Sequence, residues 1–243
     1  MKMYSMIMLM LLAFINTGYC QNQGKDEFLD ASIKQFKQAV EKNPNYAEAH
    51  YNLGVVYGEK GMAEDSINEY KKTLELEPNF VKAYNNLGVA YYEMGRFDEA
   101  IEVIKKSIAV SPQYVEAHYN LGIVYYEKKQ YSDAVATFKK AVELNSKFEK
   151  GYYNLGVAYA AMDALDESIV AFKKAVEINS KYTDAYYNLG VAYAKKDQID
   201  EAIKFLQKTL ELNPDDAKSH FALGMIYRTK WKTKESAESQ KNP

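Results

Sequence analysis

The sequence predicts an all-α solenoid built from helix-turn-helix repeats, and two observations support this prediction. The octapeptide YYNLGVAY stands at Tyr152–Tyr159 and again, unchanged, at Tyr186–Tyr193, a displacement of 34 residues. Variants of this octapeptide recur in the same register, beginning at His50, Tyr84, His118 and His220. A repeat period of roughly 20–50 residues is typical of solenoids, because each repeat can bury its apolar face only against its neighbours.

Five complete units of 34 residues follow one another at 47–80, 81–114, 115–148, 149–182 and 183–216. Each unit predicts two helices. In the fourth unit, Tyr152, Leu155 and Tyr159 have the spacing of one face of a first helix. A second apolar stretch follows, and a proline ends it in three units, at Pro78, Pro112 and Pro214.

A column of glycines lies inside the predicted first helices, at Gly54, Gly88, Gly122, Gly156, Gly190 and Gly224. Each glycine costs about 1 kcal/mol relative to alanine in a helix, so helical propensity does not explain six of them. The close approach of a facing helix does, because a missing Cβ makes room for it. We expect the small residues of the second helices to lie opposite, namely Ser66, Ala100, Ala134, Ser168 and Ala202.

The full pattern is an aromatic residue, Leu-Gly and Tyr in the first helix, then a small residue, an aromatic residue and Ala in the second. In the third unit these positions hold Leu121, Gly122, Tyr125, Ala134, Phe138 and Ala141. This pattern resembles the tetratricopeptide repeat, and the resemblance covers residues 47–216. It implies a right-handed superhelix whose first helices line a concave side, where members of the family commonly bind peptides.

Both ends of the repeat array are half-repeats. Residues 21–46 match a second helix without its first and are predicted to cap the N-terminal end. At the other end, 217–234 match a first helix without its second, and 235–243 are predicted to be a polar tail. Ten helices in five repeats and one helix in each half-repeat add up to twelve predicted helices.

Residues 1–20 have the layout of a secretory signal. Lys2 is followed by the apolar run Met6–Ile15 and then by polar residues up to Cys20. This run is too short to cross a bilayer, which requires roughly 20 apolar residues. We therefore expect cleavage after Cys20 and an exported protein, either periplasmic or secreted.

The position of Cys20, the one cysteine of the chain, leaves two other fates open. A lipoprotein signal also ends in a cysteine, which is kept and acylated, although Thr17 and Tyr19 match such a signal poorly. The segment could also remain uncleaved as an anchor. Membrane contact is expected only in these two cases.

Asparagine fills one column of the first helices, at Asn52, Asn86, Asn120, Asn154 and Asn188. A carboxamide has both a donor and an acceptor, as a peptide group does, so a regular series of them suits an extended backbone. The resemblance adds that such asparagine ladders occur in peptide-binding members of the family. The neighbouring column is largely aromatic, with Tyr51, Tyr119, Tyr153 and Tyr187 around Asn85. Alternatively, asparagine is simply common at this position.

Other classes of function find little support in the sequence. No nucleophile stands beside a base and no glycine loop suits a phosphate, so we predict neither catalysis nor a cofactor. The histidines at 50, 118 and 220 lie in different repeats without ligand partners, which predicts no metal site. A net charge of −2 does not favour nucleic acid.

The sequence therefore predicts an exported scaffold that binds a protein or an extended peptide in a concave groove. The alternatives are a structural assembly subunit, or a lipid-anchored envelope scaffold, acting through exposed terminal helices.

Overall fold

The computed structural model describes residues 25–239, with side chains described as far as Trp231. The predicted signal segment 1–20, and Cys20 with it, lies outside the described residues. Across 25–239 the chain forms twelve α-helices joined by short turns. The predicted all-α fold of paired helices is therefore confirmed.

The chain divides into two compact units, Met1–Pro112 and Gln113–Pro243. The described part of the first unit consists of α1 (25–42), α2 (Ala47–Glu59), α3 (Ala63–Leu76), α4 (Val81–Glu93) and α5 (Phe97–Val110). The second unit consists of α6 (Val115–Glu127), α7 (Tyr131–Leu144), α8 (Glu149–Ala161), α9 (Leu165–Ile178), α10 (Thr183–Lys195), α11 (Ile199–Leu212) and α12 (Ala217–Ser239). Within each unit, every helix packs against the helices that precede and follow it in the chain.

The turn from first to second helix has the same backbone conformation in every complete repeat. One residue of this turn has a positive φ, at Gly61, Gly95, Lys129, Asp163 and Asp197. A positive φ ends a helix and is sterically easiest for glycine. The corresponding position in α12 is Trp231, and there the helix continues.

The last helix is longer than predicted. The sequence placed its end at residue 234 and a polar tail from Glu235, but α12 continues to Ser239. The apolar pattern fades before that point, yet no glycine or proline interrupts residues 232–239. A helix ends where its backbone turns, and the apolar pattern alone does not determine that place.

The turns that lack proline are held by asparagine instead. In the third repeat the Asn145 Oδ1 accepts a hydrogen bond of 3.0 Å from the Lys147 backbone N–H. Asn179 accepts the equivalent bond, also of 3.0 Å, from the Lys181 N–H. The same side-chain turn also stands beside a proline, at Asn43 before Pro44, so it supports the start of the next first helix with or without proline.

The glycine column is packed against the second helix of the same repeat. A Cβ built on Gly156 would lie 2.7 Å from the Phe172 ring, and one on Gly88 would lie 2.3 Å from the Ile104 Cγ1. The small column contributes too, since the Ser168 Oγ donates a 2.8 Å hydrogen bond to the Gly156 carbonyl. The close approach predicted from the glycines is therefore present. At Gly88, for example, the nearest atoms of the second helix belong to the Ile104 side chain and to the backbone carbonyl of the small residue Ala100.

Candidate functional site

The predicted asparagine and tyrosine columns are hydrogen-bonded to each other. The Asn86 Nδ2 donates to the Tyr51 Oη at 3.1 Å, across a separation of 35 residues. In the second unit, Asn154 donates to Tyr119 at 2.8 Å, and Asn188 donates to Tyr153 at 3.1 Å. Each asparagine therefore joins the first helix of its repeat to the first helix of the preceding repeat. We call the surface formed by the two pairs of the second unit the asparagine–tyrosine surface.

Each paired tyrosine also packs between two aromatic rings. The Tyr153 ring centroid lies 5.7 Å from that of Phe172 and 4.9 Å from that of Tyr182. Tyr119 has the same neighbours in its own repeat, Phe138 at 5.9 Å and Phe148 at 4.9 Å. These contacts fix the rings, so the hydroxyls are presented at defined positions.

The aromatic residue just before each following first helix was missed by the sequence reasoning. These residues are Phe80, Tyr114, Phe148 and Tyr182. Their signal was available, because they recur with the same period as the octapeptide. They lie just outside the helices, so the helical spacing that predicts apolar faces does not include them.

Burial raises the pKa of the paired tyrosine hydroxyls at Tyr51, Tyr119 and Tyr153, and the asparagine hydrogen bond acts in the opposite direction. These hydroxyls are therefore protonated at neutral pH. Each one accepts a hydrogen bond from its asparagine and keeps its own O–H for another acceptor.

The second unit contains a pocket of about 260 Å³ along this surface. Tyr153 and Asn188, from the two columns discussed above, line it together with Val157 and Val191. Lys195 lines it too, and its charge was not expected from the sequence. The pocket thus combines apolar walls, a hydrogen-bonding amide–phenol pair and a positive charge.

The remaining predicted site residues differ from this arrangement. Asn52 and Asn120 are half-buried in their helices. Asn85, which replaces tyrosine in the aromatic column, is buried and its Nδ2 donates to the Asn86 Oδ1 at 3.2 Å. Tyr187 is half-buried, and the residue 35 positions after it is Ala222, which offers no carboxamide. The two predicted columns thus form three hydrogen-bonded pairs, one in the first unit and two in the second, and Tyr187 has no asparagine opposite it among the described residues.

The second helices of the first four repeats each carry two neighbouring lysines that make local contacts, at 71–72, 105–106, 139–140 and 173–174. The first lysine of a pair lies over a tyrosine ring of the next repeat, for example Lys173 Nζ at 5.4 Å from the Tyr193 centroid. The second lysine bonds a glutamate of its own helix, three residues on as in Lys174–Glu177 at 2.7 Å, or four residues before in the case of Lys106. These lysines therefore do not form an uncompensated basic ridge.

Within 25–239 no group of His, Cys, Asp and Glu is arranged to hold a metal ion. His50 is engaged otherwise, with its Nδ1 2.6 Å from the Glu69 Oε2 and its Nε2 3.1 Å from the Pro44 carbonyl. Over the same residues, each helix is too short or too polar to span a membrane.

Models of a known repeat family match most of the chain. Models of the TPR repeat match residues 28–61, 59–95, 90–129, 124–163 and 164–197, and a model of the tetratricopeptide repeat matches 183–216. A search of curated proteins found no match.

Many solved structures are similar. YrrB, described as a TPR protein with an unusual peptide-binding site, is 28% identical with a TM-score of 0.66, over 78% of this chain and 97% of that one. MamA is 33% identical with a TM-score of 0.64, over 68% of this chain and 97% of that one. Pseudomonas aeruginosa pilF, at 19% identity and a TM-score of 0.68 over 83% and 99%, shares the fold.

The family matches cover most of the chain, and their repeats coincide with the helix pairs of the structure. Proteins of this kind are scaffolds for protein–protein interaction, typically without enzymatic activity. The chain belongs to the tetratricopeptide repeat family.

Proposed function

We propose that this protein is an exported scaffold that binds an extended peptide, or an extended segment of a protein partner, on the asparagine–tyrosine surface. One observation carries the proposal: the Tyr153–Asn188 pair forms part of the wall of a pocket of about 260 Å³. A pocket of this kind, with apolar walls and a few fixed polar groups, is typical of a ligand site.

The hydrogen-bonding capacity of the pair suits a peptide group. One Nδ2 proton of Asn188 is used by the Tyr153 hydroxyl. The second proton and the Oδ1 remain, and this oxygen accepts no hydrogen bond from the described residues. A carboxamide in this state can donate to a peptide C=O and accept from a peptide N–H.

The pocket also suggests what the bound segment carries. Val157 and Val191 provide space and contact for an apolar side chain. Lys195 is exposed at the rim of the pocket and favours an acidic side chain next to it, because opposite charges attract each other. We therefore propose a peptide with an apolar residue beside an acidic one.

The similarity to YrrB supports this proposal, since that protein is described as having a peptide-binding site.

Export is proposed on separate grounds, namely the signal-like segment that ends at Cys20. Intact mass of the protein recovered from its source tests it. A chain that starts at Gln21 supports export, an added lipid on Cys20 supports an envelope anchor, and an intact Met1 contradicts cleavage.

The binding proposal is tested by site-directed photo-crosslinking. A benzophenone amino acid replaces Val157 in the pocket or, as a matched control, Val170, which is exposed elsewhere on the second unit. The proposal expects a crosslinked partner from position 157 and none from 170. Equal crosslinking at both positions, or crosslinking at 170 alone, contradicts it.

A second variant pair tests the asparagines. Replacing Asn154 and Asn188 together by alanine is expected to abolish the crosslink at position 157. Asn68→Ala is the control, since Asn68 is an exposed asparagine of α3. Circular dichroism must show unchanged helicity in both variants. A crosslink that survives in the double variant would mean that the partner is held by other groups.

A further inference from the structure

The first and the last helix of the described residues each leave open the side that pairs with the other helix of a repeat in every internal repeat. A Cβ on Gly224 of α12 would meet nothing within 4 Å, whereas the same column meets a second-helix side chain within 2.3–2.8 Å at Gly54, Gly88, Gly122, Gly156 and Gly190. Helix α12 continues to Ser239, so residues up to that point do not supply the missing second helix.

This open side of α12 is apolar. Phe221 is 73% exposed and Trp231 is 65% exposed. Tyr227 is 47% exposed, although Tyr193, the residue one period earlier, is only 7% exposed beneath its own second helix. We call the set Phe221, Gly224, Tyr227 and Trp231 the α12 face.

Helix α1 presents the complementary surface. It is a second helix by register, because Ser32, Phe36 and Ala39 stand four periods before Ser168, Phe172 and Ala175. The internal residues are buried, whereas Ser32, Phe36 and Ala39 are only half-buried. At the start of the helix, Phe28 is 76% exposed. We call Phe28, Ser32, Phe36 and Ala39 the α1 face.

We propose that the α1 face of a second copy of this chain docks on the α12 face and completes a tetratricopeptide repeat shared between two copies. The contact is the one that every internal repeat makes between its own two helices. It is independent of the asparagine–tyrosine surface and goes beyond the peptide binding proposed above.

The internal repeats predict the contacts of this junction. Phe36 of one copy takes the place over Gly224 that Phe172 has over Gly156. Phe28 of the same copy lies beside Tyr227 of the other. The equivalent internal contact is that of Arg96 with Tyr91, where the guanidinium carbon is 4.4 Å from the ring centroid. Both contacts would bury large apolar side chains that are exposed in the single chain.

Charge also favours this docking. The paired helices of a repeat run antiparallel, so the N-terminal end of α1 would lie beside the C-terminal part of α12. The first carries Asp26 and Glu27 next to Lys25, and the second carries the exposed Arg228. Opposite net charges at the two surfaces steer them together and suppress the α12–α12 pairing of like charges.

The junction is heterologous, because two different faces meet. Each copy therefore keeps one face open after it binds, and the assembly either grows with concentration or closes into a ring.

The decisive variant is Gly224→Glu in the full chain. In the single chain this side chain meets open space and glutamate is a better helix former than glycine, so the fold is kept. In the junction it would collide with Phe36 and bury a charge. We expect dissociation constants, measured by sedimentation velocity over a wide concentration range, to rise on the order of tenfold or more.

Two further variants complete the experiment. Met225→Glu makes the same charge change one residue away, in the column of Val191 that lines the peptide pocket, and should associate like the parent. Phe28→Glu changes the other face, at an exposed position, and should weaken association as Gly224→Glu does.

Mixing the two weakened chains tests the head-to-tail geometry. The Gly224→Glu chain keeps an intact α1 face and the Phe28→Glu chain keeps an intact α12 face, so together they should form a dimer of one copy each and stop there. No such dimer, a parent chain that stays monomeric, or a Gly224→Glu chain that associates like the parent would overturn the proposal. The last result would instead assign association to another segment, such as the apolar run Met6–Ile15.

Discussion

The glycine column offers a matched pair within a single helix. Gly54 and Gly58 both lie in α2, one turn apart. A Cβ on Gly54 would lie 2.8 Å from the Tyr70 Cε1 and 3.3 Å from the Ser66 carbonyl oxygen, whereas a Cβ on Gly58 would approach only the Ser66 Oγ, at 3.4 Å. Alanine is therefore expected to be harmful at 54 and helpful at 58.

The magnitudes follow from two opposing effects. Replacing glycine by alanine inside a helix gains about 1 kcal/mol at either position. At position 54 the buried Tyr70 ring must move, and overpacking of this kind costs about 1–3 kcal/mol. We expect the two alanine variants to differ in unfolding free energy by about 1–3 kcal/mol, or roughly 2–12 °C in Tm for a chain of this size.

Urea denaturation of Gly54→Ala and Gly58→Ala, followed by circular dichroism, measures this difference. Equal stability of the two variants would refute the idea that the column is glycine for lack of space. A second check adds Tyr70→Leu, which removes the ring. If the Cβ of residue 54 collides with the Tyr70 ring, Gly54→Ala should lower the unfolding free energy less in the Tyr70→Leu background. A double-mutant cycle measures this difference.

Two other predictions concern the buried polar groups of the repeats. Ser168→Ala removes the bond to the Gly156 carbonyl and should lower the unfolding free energy by roughly 0.5–1.5 kcal/mol in urea titrations. The loss should stay small because Ala134 occupies the same column naturally, and a larger loss would mean that the repeat has been repacked. Burial raises the pKa of Tyr153 and Tyr182, so the unfolded chain loses these protons first as the pH rises. Urea titrations should show full stability below pH of about 10 and a loss of stability above it. An unfolding free energy that stays constant as the pH rises above that value would contradict this.

The fold could be predicted from the sequence because its information is periodic. A residue such as Leu155 has the same environment as its counterparts one period away, so a few positions determine the repeat and its two helices. The end of α12 could not be predicted in this way. It depends on whether Trp231 adopts the turn conformation of Asp197, which is a local backbone property.

The candidate site was predicted only in part. The sequence placed the columns of Asn188 and Tyr153 next to each other, and these two side chains are hydrogen-bonded. That the carboxamide donates to the tyrosine one repeat earlier depends on a side-chain rotamer, and a period contains no information about rotamers. Lys195 is exposed at the end of its helix, where charged residues are common, so no sequence pattern distinguishes it from other surface lysines.

The pairing of Asn188 with Tyr153 changes how the asparagine ladder must be tested. An alanine variant removes the proposed ligand contact and also the hydrogen bond to the Tyr153 hydroxyl, so a loss of binding would have two explanations. Asn188→Asp separates them. A carboxylate can accept a hydrogen bond from the Tyr153 hydroxyl, which keeps the pair, but it has no N–H to offer a peptide carbonyl.

We therefore expect Asn188→Asp to retain the parent's helicity and to bind its crosslinking partner on the order of tenfold more weakly, the effect of losing one hydrogen bond. Tyr153→Phe is the complementary control, since it breaks the pair while leaving both amide protons of Asn188 available. If Tyr153→Phe weakens binding and Asn188→Asp does not, the tyrosine hydroxyl would be the group that contacts the peptide, and the asparagine would act only by positioning it. If the carboxamide contacts the peptide directly, the aspartate variant must be the weaker of the two.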